Sequence, residues 1–259
     1  MDLGLTGRKA IVCASSRGLG RASARALAAD GVDVAINGRD AAVVESTAMA
    51  IAAETGVEAT PVVADLDTED GRARLLEACP EPDILVNNNG GPPPGSFRDW
   101  RREDWDAGIS ANMMTPIELI KAMIDGMVER RFGRIVNVTS VAVRMPFPGL
   151  AMSSAARSGL TGFIASISRE VAPHNVAINN LQPGLFETDR LTVGIAGAAE
   201  ARQQSVDTVR GSMLANIPAG RFGDPEEFGR ACAFLCSAHS GFITGQNLLL
   251  DGGHFPGAF

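Results

Sequence analysis

Two side chains four positions apart, Ser153 and Arg157, have the types and the spacing to act together. Residues i and i+4 share one face of a helix, and we predict a helix over 153–172 that is closed by Pro173. Arginine carries a permanent charge that can hold a polar ligand, whereas an aliphatic hydroxyl is a far weaker acid than a phenol, whose pKa is about 10. The chain has no tyrosine that could supply a phenol. We therefore expect the pair to bind a ligand through Arg157, and we expect Ser153 to be a poor proton donor.

A glycine-containing loop between the first predicted strand and the first predicted helix has the composition of a phosphate site. It reads Ser15-Ser16-Arg17-Gly18-Leu19-Gly20. Glycines let the backbone approach a pyrophosphate, whose charge is stabilised by the helix N-terminus. An ordinary strand-to-helix turn also uses glycine, so the loop is informative only because it follows the first strand of a longer pattern.

That pattern is an alternation of short apolar strands and helices, which predicts a doubly wound α/β fold: a seven-stranded parallel sheet with helices on both faces. The strands are predicted at 8–14, 33–37, 57–63, 83–87, 134–140, 176–181 and 246–250, and a long helix at 103–130. No linker divides the chain, so we predict one domain over 1–259. The polar segment at about 190–217 departs from the alternation and is predicted to be a substrate-side lid.

Composition excludes several classes of protein. The net charge is −7 and the sequence pI about 5.0, so there is no global basic field for nucleic acid. No apolar run approaches a membrane span, and the N-terminus lacks a signal-peptide pattern, so we expect a cytosolic protein. Cys232 and Cys236 lack a second ligand pair, and we expect buried thiols and no metal site.

Further motifs follow the phosphate loop in order. They are Asn87-Asn88-Asn89-Gly90 after the fourth strand, Asn112 in the long helix, Ser140 at the end of the fifth strand, a segment from Asn179 through Pro183-Gly184 to Thr188, and Leu250-Asp251-Gly252-Gly253. Through these motifs nearly the whole chain resembles the short-chain dehydrogenase/reductase family, in particular its β-ketoacyl-ACP-reductase-like branch. The resemblance implies a Rossmann-type domain that binds a nicotinamide dinucleotide.

The resemblance also implies where the cofactor binds, and Arg157 would hold its ribose. An acid at the end of the second strand selects NAD, but this chain has Asn37 there. Arg17 and Arg39 could clamp a 2′-phosphate, although both could equally be solvated surface arginines, and we favour NADP(H) over NAD(H). The expected cofactor residues are Ser15, Ser16, Arg17, Gly18, Leu19, Gly20, Asn37, Arg39, Asp65, Leu66, Asn88, Asn89, Gly90, Arg157, Pro183, Gly184 and Thr188.

The chain departs from the family pattern at its catalytic pair. Ser153 and Arg157 stand where the family has tyrosine and lysine, while Asn112 and Ser140 match the other catalytic positions. Smaller departures are Cys13 and Ala14 for the threonine and first glycine of the phosphate loop, and Asn89 for alanine.

The proton donor therefore has several candidates. Arg144 either polarises a carbonyl or forms a loop salt bridge. Glu187 and Asp189 are either acids that approach the substrate or residues with another role, as a solvated acid or a helix cap. A water held by Ser153 and Asn112 is a fourth candidate.

Three functions remain open from the sequence. The first is an atypical NADP(H)-dependent carbonyl reductase or alcohol dehydrogenase, similar to 3-oxoacyl-ACP reductases, acting on a small molecule as a homodimer or homotetramer. The second is a catalytically weak or inactive relative that binds the cofactor or a ligand. The third is a structural subunit of a hetero-oligomer.

Overall fold

The computed structural model of the protein describes residues 2–257, so the very ends of the predicted 1–259 domain lie outside the described residues. Within that range seven strands alternate with helices. The strands are β1 (Lys9–Val12), β2 (Asp33–Gly38), β3 (Ala59–Val63), β4 (Ile84–Asn87), β5 (Gly133–Val138), β6 (Val176–Pro183) and β7 (Asn247–Leu250). The helices are α1 (Gly18–Ala29), α2 (Ala41–Thr55), α3 (Glu69–Ala78), α4 (Arg102–Ile109), α5 (Thr115–Glu129), α6 (Ala151–Val171), α7 (Asp189–Arg202), α8 (Val206–Leu214) and α9 (Pro225–Cys236).

The strands form one parallel sheet in the order β3-β2-β1-β4-β5-β6-β7. The predicted seven-stranded doubly wound fold is therefore confirmed. The central strands are buried on both sides, as a parallel sheet between two helical layers requires. The order reverses between β1 and β4, and in such sheets ligands bind at the carboxyl ends of the strands beside this point.

Two apolar cores cover the two faces of the sheet. On one face α1, α2 and α9 contribute side chains such as Leu27, Ile51 and Phe228. On the other face α3, α5 and α6 contribute side chains such as Leu75 and Ile120. Because all the strands point the same way, the loops at their carboxyl ends meet along one edge.

The long helix predicted at 103–130 is interrupted. A π-helical segment, Ser110–Met114, separates α4 from α5. Propensity rules do not distinguish a π turn from an α turn, and such segments often accompany functional residues. The interruption lies at Asn112, one of the predicted site residues.

The segment predicted as a lid at about 190–217 is largely helical. It contains most of α7 and all of α8, each of which begins after a hydroxyl residue that caps it, Thr188 and Ser205. The two helices form a small apolar cluster of their own around Ile195 and Val209. Among residues 2–257 no helix is long and apolar enough to cross a membrane, and no cluster of His, Cys, Asp or Glu is arranged to hold a metal ion.

Candidate functional site

The phosphate loop folds back closely on its own beginning. Ala14 has a φ of 45°, in the left-handed region that residues with a side chain seldom adopt. A Cβ on Gly20 would overlap the Ala14 carbonyl oxygen, so this approach of α1 to β1 requires glycine. Asn88 donates from Nδ2 to the same oxygen at 3.3 Å, which ties the loop after β4 to the phosphate loop.

Ser15 and Asn37 fix the phosphate loop by hydrogen bonds to the backbone around it. Ser15 is fully buried, donates to the Val12 carbonyl at 2.6 Å and accepts from the Asn37 backbone N–H at 2.9 Å. The Asn37 amide accepts from the Ala14 N–H at 3.1 Å and donates to two carbonyls at and after β3. The polar atoms of both side chains are engaged within the protein, so these residues shape the loop from its inner side.

The outer side of the phosphate loop carries the two arginines. Arg17 is the N-cap residue of α1, Arg39 directly follows β2, and both are exposed. Arg17 Nη2 lies 3.7 Å from Asp40 Oδ2. A Cβ on Gly38 would come within 2.7 Å of Ser16 Oγ, so the end of β2 packs closely against the phosphate loop.

Asp65 and Leu66 lie just beyond β3. Asp65 is exposed and accepts from the Asp67 N–H at 3.2 Å. Leu66 is buried, and its carbonyl accepts from Arg72 at 3.0 Å. Leu19 of the phosphate loop is half-buried and packs against the core, so its side chain anchors α1.

Asn89 links the loop after β4 to the π-helical segment. Its Nδ2 donates to Asp67 Oδ1 at 2.9 Å and to the Ala111 carbonyl at 3.2 Å. The neighbouring Asn112 is buried and donates from Nδ2 to the Gly90 carbonyl at 3.4 Å. Asn112 Oδ1 is buried and has no hydrogen-bond partner among residues 2–257.

A cavity of about 260 Å³ lies beside these residues. The loop at 90–93, the ring of Trp100 and one face of α4 line it. Asn112 and Met152 also line it, and Met152 directly precedes Ser153. The structure therefore brings the π-helical segment and the start of α6 to one cavity.

Ser153 and Arg157 contact each other at the start of α6, as their spacing predicts. Arg157 is 8% exposed, donates from Nε to Ser153 Oγ at 3.3 Å and from Nη1 to the Val138 carbonyl at 2.6 Å. Burial, with the charge of Arg190 as a second cause, lowers the pKa of Arg157 to about 10. Ser140 lies two residues beyond Val138, and its Oγ accepts from the Ala142 N–H at 3.0 Å. Its hydroxyl proton remains available to a ligand.

The segment after β6 closes over the phosphate loop. Thr188 caps α7, and a Cβ on Gly18 would lie 3.7 Å from its methyl group. Pro183 is the last residue of β6. Gly184 packs on Asp251, where a Cβ would come within 2.8 Å of the aspartate Cβ. This part of the site thus rests on the C-terminal Leu-Asp-Gly-Gly motif.

The other candidate proton donors have partners or roles elsewhere. Arg144 donates to Gln182 Oε1 at 2.9 Å and to the Asn247 carbonyl, so within residues 2–257 it bonds to neutral acceptors and forms no salt bridge. Glu187 pairs with Arg210. Asp189 is the first residue of α7, where a carboxylate stabilises the helix N-terminus.

Several residues of the site were not identified from the sequence, among them Asp67, Met152 and Arg190. Asp67 and Met152 belong to no phosphate or catalytic motif, and their roles follow from contacts between distant segments. Arg190 stands only two residues beyond Thr188, and that position was the one signal available for it. Its guanidinium lies against Gly91, which lines the cavity.

The residues present fit a dinucleotide cofactor. The close approach at Gly20 leaves the α1 N-terminus open to a pyrophosphate, and Thr188 stands against the same loop. Asn112, whose buried Oδ1 has no hydrogen-bond partner among residues 2–257, lines the cavity. The carboxyl edge of the sheet thus has the phosphate loop after β1 and the cavity beside the loop after β4.

Comparison with known proteins agrees with this geometry. A family model described as enoyl-(acyl carrier protein) reductase matches residues 13–254. The 3-oxoacyl-[acyl-carrier-protein] reductase FabG of Vibrio harveyi is 34% identical over 257 residues, covering 98% of this chain and 99% of that protein. Among solved structures, the NADPH-dependent reductase YwfH, involved in bacilysin biosynthesis, has a TM-score of 0.91 at 29% identity, covering 96% of this chain and 99% of that one. The L-sorbose reductase of Gluconobacter frateurii, complexed with NADPH and L-sorbose, has a TM-score of 0.94 at 25% identity, covering 99% of this chain and all of that one.

Proposed function

Because the chain belongs to the short-chain dehydrogenase/reductase family, we propose that it is an NADP(H)-dependent oxidoreductase that interconverts a carbonyl compound and its alcohol. Its relatives include 3-oxoacyl-[acyl-carrier-protein] reductases, which makes a small oxoacyl compound the nearest substrate analogy. In this proposal Ser153 and Arg157 stand at the positions of the family's tyrosine and lysine.

One observation carries the proposal: Met152, the residue that directly precedes Ser153, lines the same cavity as Asn112. Arg157 is held by Ser153 Oγ and the Val138 carbonyl, so its guanidinium is fixed at the carboxyl end of β5. A fixed donor at this point can hold a ribose hydroxyl or polarise a carbonyl oxygen without reorganising.

The bound cofactor would supply the hydride. Gly18 and Gly20 would hold its pyrophosphate at the α1 N-terminus. Arg157 would hold the nicotinamide ribose, and the segment from Pro183 to Thr188 would hold the carboxamide. Ser140 and Ser153 would orient the carbonyl oxygen through their hydroxyl groups, and a proton relay through Ser153 and Asn112 remains our proposal for the missing phenol.

The preference for NADP(H) rests on Arg17 and Arg39. Both are exposed at the edge of the phosphate loop, and the neighbouring Asn37 is neutral and turned inward. Titration of NADPH and NADH, followed by protein fluorescence, tests this preference. We expect NADPH to bind about tenfold or more tightly than NADH, as one charge-assisted phosphate contact provides. Arg17→Ala with Arg39→Ala should remove the difference, whereas Arg169→Ala should keep it. Equal binding of both cofactors by the parent would refute the preference.

The altered pair is tested by restoring the family residues, Ser153→Tyr with Arg157→Lys. General acid catalysis is worth about 10²–10⁴-fold, so we expect single-turnover reduction of a ketone and aldehyde panel to accelerate by that order. The matched control is Ser158→Tyr with Arg169→Lys, two exposed positions on the same helix. An unchanged rate in the restored variant would show that Ser153 and Arg157 do not limit proton transfer.

The absence of tyrosine favours a second candidate function, a cofactor-binding relative without turnover. A parent that binds NADPH and reduces none of the panel, while the restored variant is active, would establish it. A hetero-oligomeric subunit would instead co-purify with a tyrosine-containing homologue. We propose a homodimer or homotetramer, which light scattering of the purified chain tests directly.

A further inference from the structure

Arg190 lies beside the cavity and has no role in the proposed reaction. It is the second residue of α7, and its guanidinium covers Gly91. A Cβ on Gly91 would lie 2.6 Å from Nη2, 3.1 Å from Nη1 and 3.3 Å from Cζ. Gly91 in turn lines the cavity that contains Asn112 and Met152. The exposed cation of Arg190 therefore lies against one residue of the cavity wall.

The charge of Arg190 is not balanced by the protein. Among residues 2–257 it has no carboxylate within 4.0 Å. Glu187 pairs with Arg210, and the two carboxylates that line the cavity, Asp67 and Asp104, accept hydrogen bonds from Asn89 and from the Arg101 N–H. Its charge also disfavours the cationic form of Arg157. Two guanidinium groups thus act on each other with no acid paired to either one.

The burial of Arg157 makes the lack of a counter-ion energetically unfavourable. It is 8% exposed, and its two hydrogen-bond acceptors, Ser153 Oγ and the Val138 carbonyl, are both neutral. A buried charge without a counter-ion is strongly unfavourable, and a guanidinium fork matches the geometry of a carboxylate or phosphate. An anion bound at Arg190 would offset the unfavourable effect of the Arg190 charge on Arg157.

Resting on the proposed function, we propose that Arg190 binds an anionic group of the substrate. The substrate class is therefore a carbonyl compound that carries a carboxylate or phosphate. The cofactor pyrophosphate is the other source of anionic charge, but the α1 N-terminus and Gly18, against Thr188, already provide its site. Arg190 lies on Gly91, beside the cavity that continues to Met152.

The test compares an anionic probe with its neutral counterpart, independently of turnover. Acetoacetate and methyl acetoacetate are titrated calorimetrically into the protein, with and without saturating NADP⁺. Each titration is repeated with Arg190→Gln and with Arg202→Gln, an exposed arginine on the same helix. We expect the parent and Arg202→Gln to bind acetoacetate about tenfold or more tightly than the ester, as one charge-assisted contact provides, and Arg190→Gln to bind both alike.

Three results would overturn the inference. The first is a parent without preference for the carboxylate, and the second is an Arg190→Gln variant that keeps the preference. The third is an Arg190→Gln variant whose NADPH affinity falls about as much as its acetoacetate affinity, which would assign Arg190 to the pyrophosphate. A parent that binds acetoacetate selectively but reduces no carbonyl compound would refute the proposed reaction and leave the anion site standing.

Discussion

The carbonyl oxygen of Ala14 occupies the space that a side chain on Gly20 would need. Gly20→Ala therefore forces α1 away from β1, and overpacking of this kind costs about 1–3 kcal/mol. We expect the free energy of unfolding in urea to fall by that amount and NADPH binding to be lost. Gly162→Ala is the control, because that helical position faces open space, and there we expect a gain of up to about 1 kcal/mol. Equal effects at the two positions would contradict the role of the close approach.

Ala14 itself is strained, and Ala14→Gly should relieve the strain. Its φ of 45° costs an alanine about 1–2 kcal/mol, while glycine loses about 0.5–1 kcal/mol more backbone entropy on folding than alanine. We expect a net gain of up to about 1 kcal/mol in urea unfolding. Ala165→Gly, at an exposed position of α6, should instead lose about 1 kcal/mol. A loss at Ala14 equal to that at Ala165 would show that Ala14 carries no strain.

The order of the elements could be predicted from local patterns because buried parallel strands are short apolar runs between helices. The phosphate loop and the i,i+4 contact of Ser153 with Arg157 follow from the same local rules. The π-helical turn at Asn112 could not be predicted, since local propensity does not distinguish it from an α turn and its contacts are with the distant loop after β4. Arg190 was missed for a related reason: only the packing of α7 over Gly91 brings it to the cavity.

The contact of Asn89 with Asp67 explains why this chain tolerates asparagine in place of the family's alanine. Asn89 Nδ2 joins Asp67 to the Ala111 carbonyl beside Asn112. We expect Asn89→Ala to lower the free energy of unfolding by about 1–2 kcal/mol, the value of one or two such hydrogen bonds. Asn216→Ala, which removes one exposed bond to the Ser212 carbonyl, should cost less than about 0.5 kcal/mol. If the two variants are equally stable, the link does not support the π-helical segment.

The buried cation at Arg157 predicts an unusual dependence of stability on pH. Burial, together with the charge of Arg190, lowers its pKa from the ordinary value of an arginine to about 10. The unfolded chain therefore binds the proton more tightly than the folded chain, so folding carries a penalty on the order of 3 kcal/mol at neutral pH. This penalty is present below pH 10 and is relieved as the pH rises through about 10 towards the unfolded value. Arg157→Met has no charge to bury, so the stability of the parent relative to this variant should rise between about pH 8 and 11.

Urea unfolding of both proteins across this range measures the difference, in which the titration of all shared groups cancels. Arg169→Met, at an exposed position of the same helix, is the control. The stability of the parent relative to this variant should stay constant over the same pH range. Arg190→Gln should reduce the rise without abolishing it, because burial is the larger cause and the Arg190 charge the smaller one. A parent whose stability relative to Arg157→Met stays constant from about pH 8 to 11 would contradict a lowered pKa of Arg157 in the folded protein.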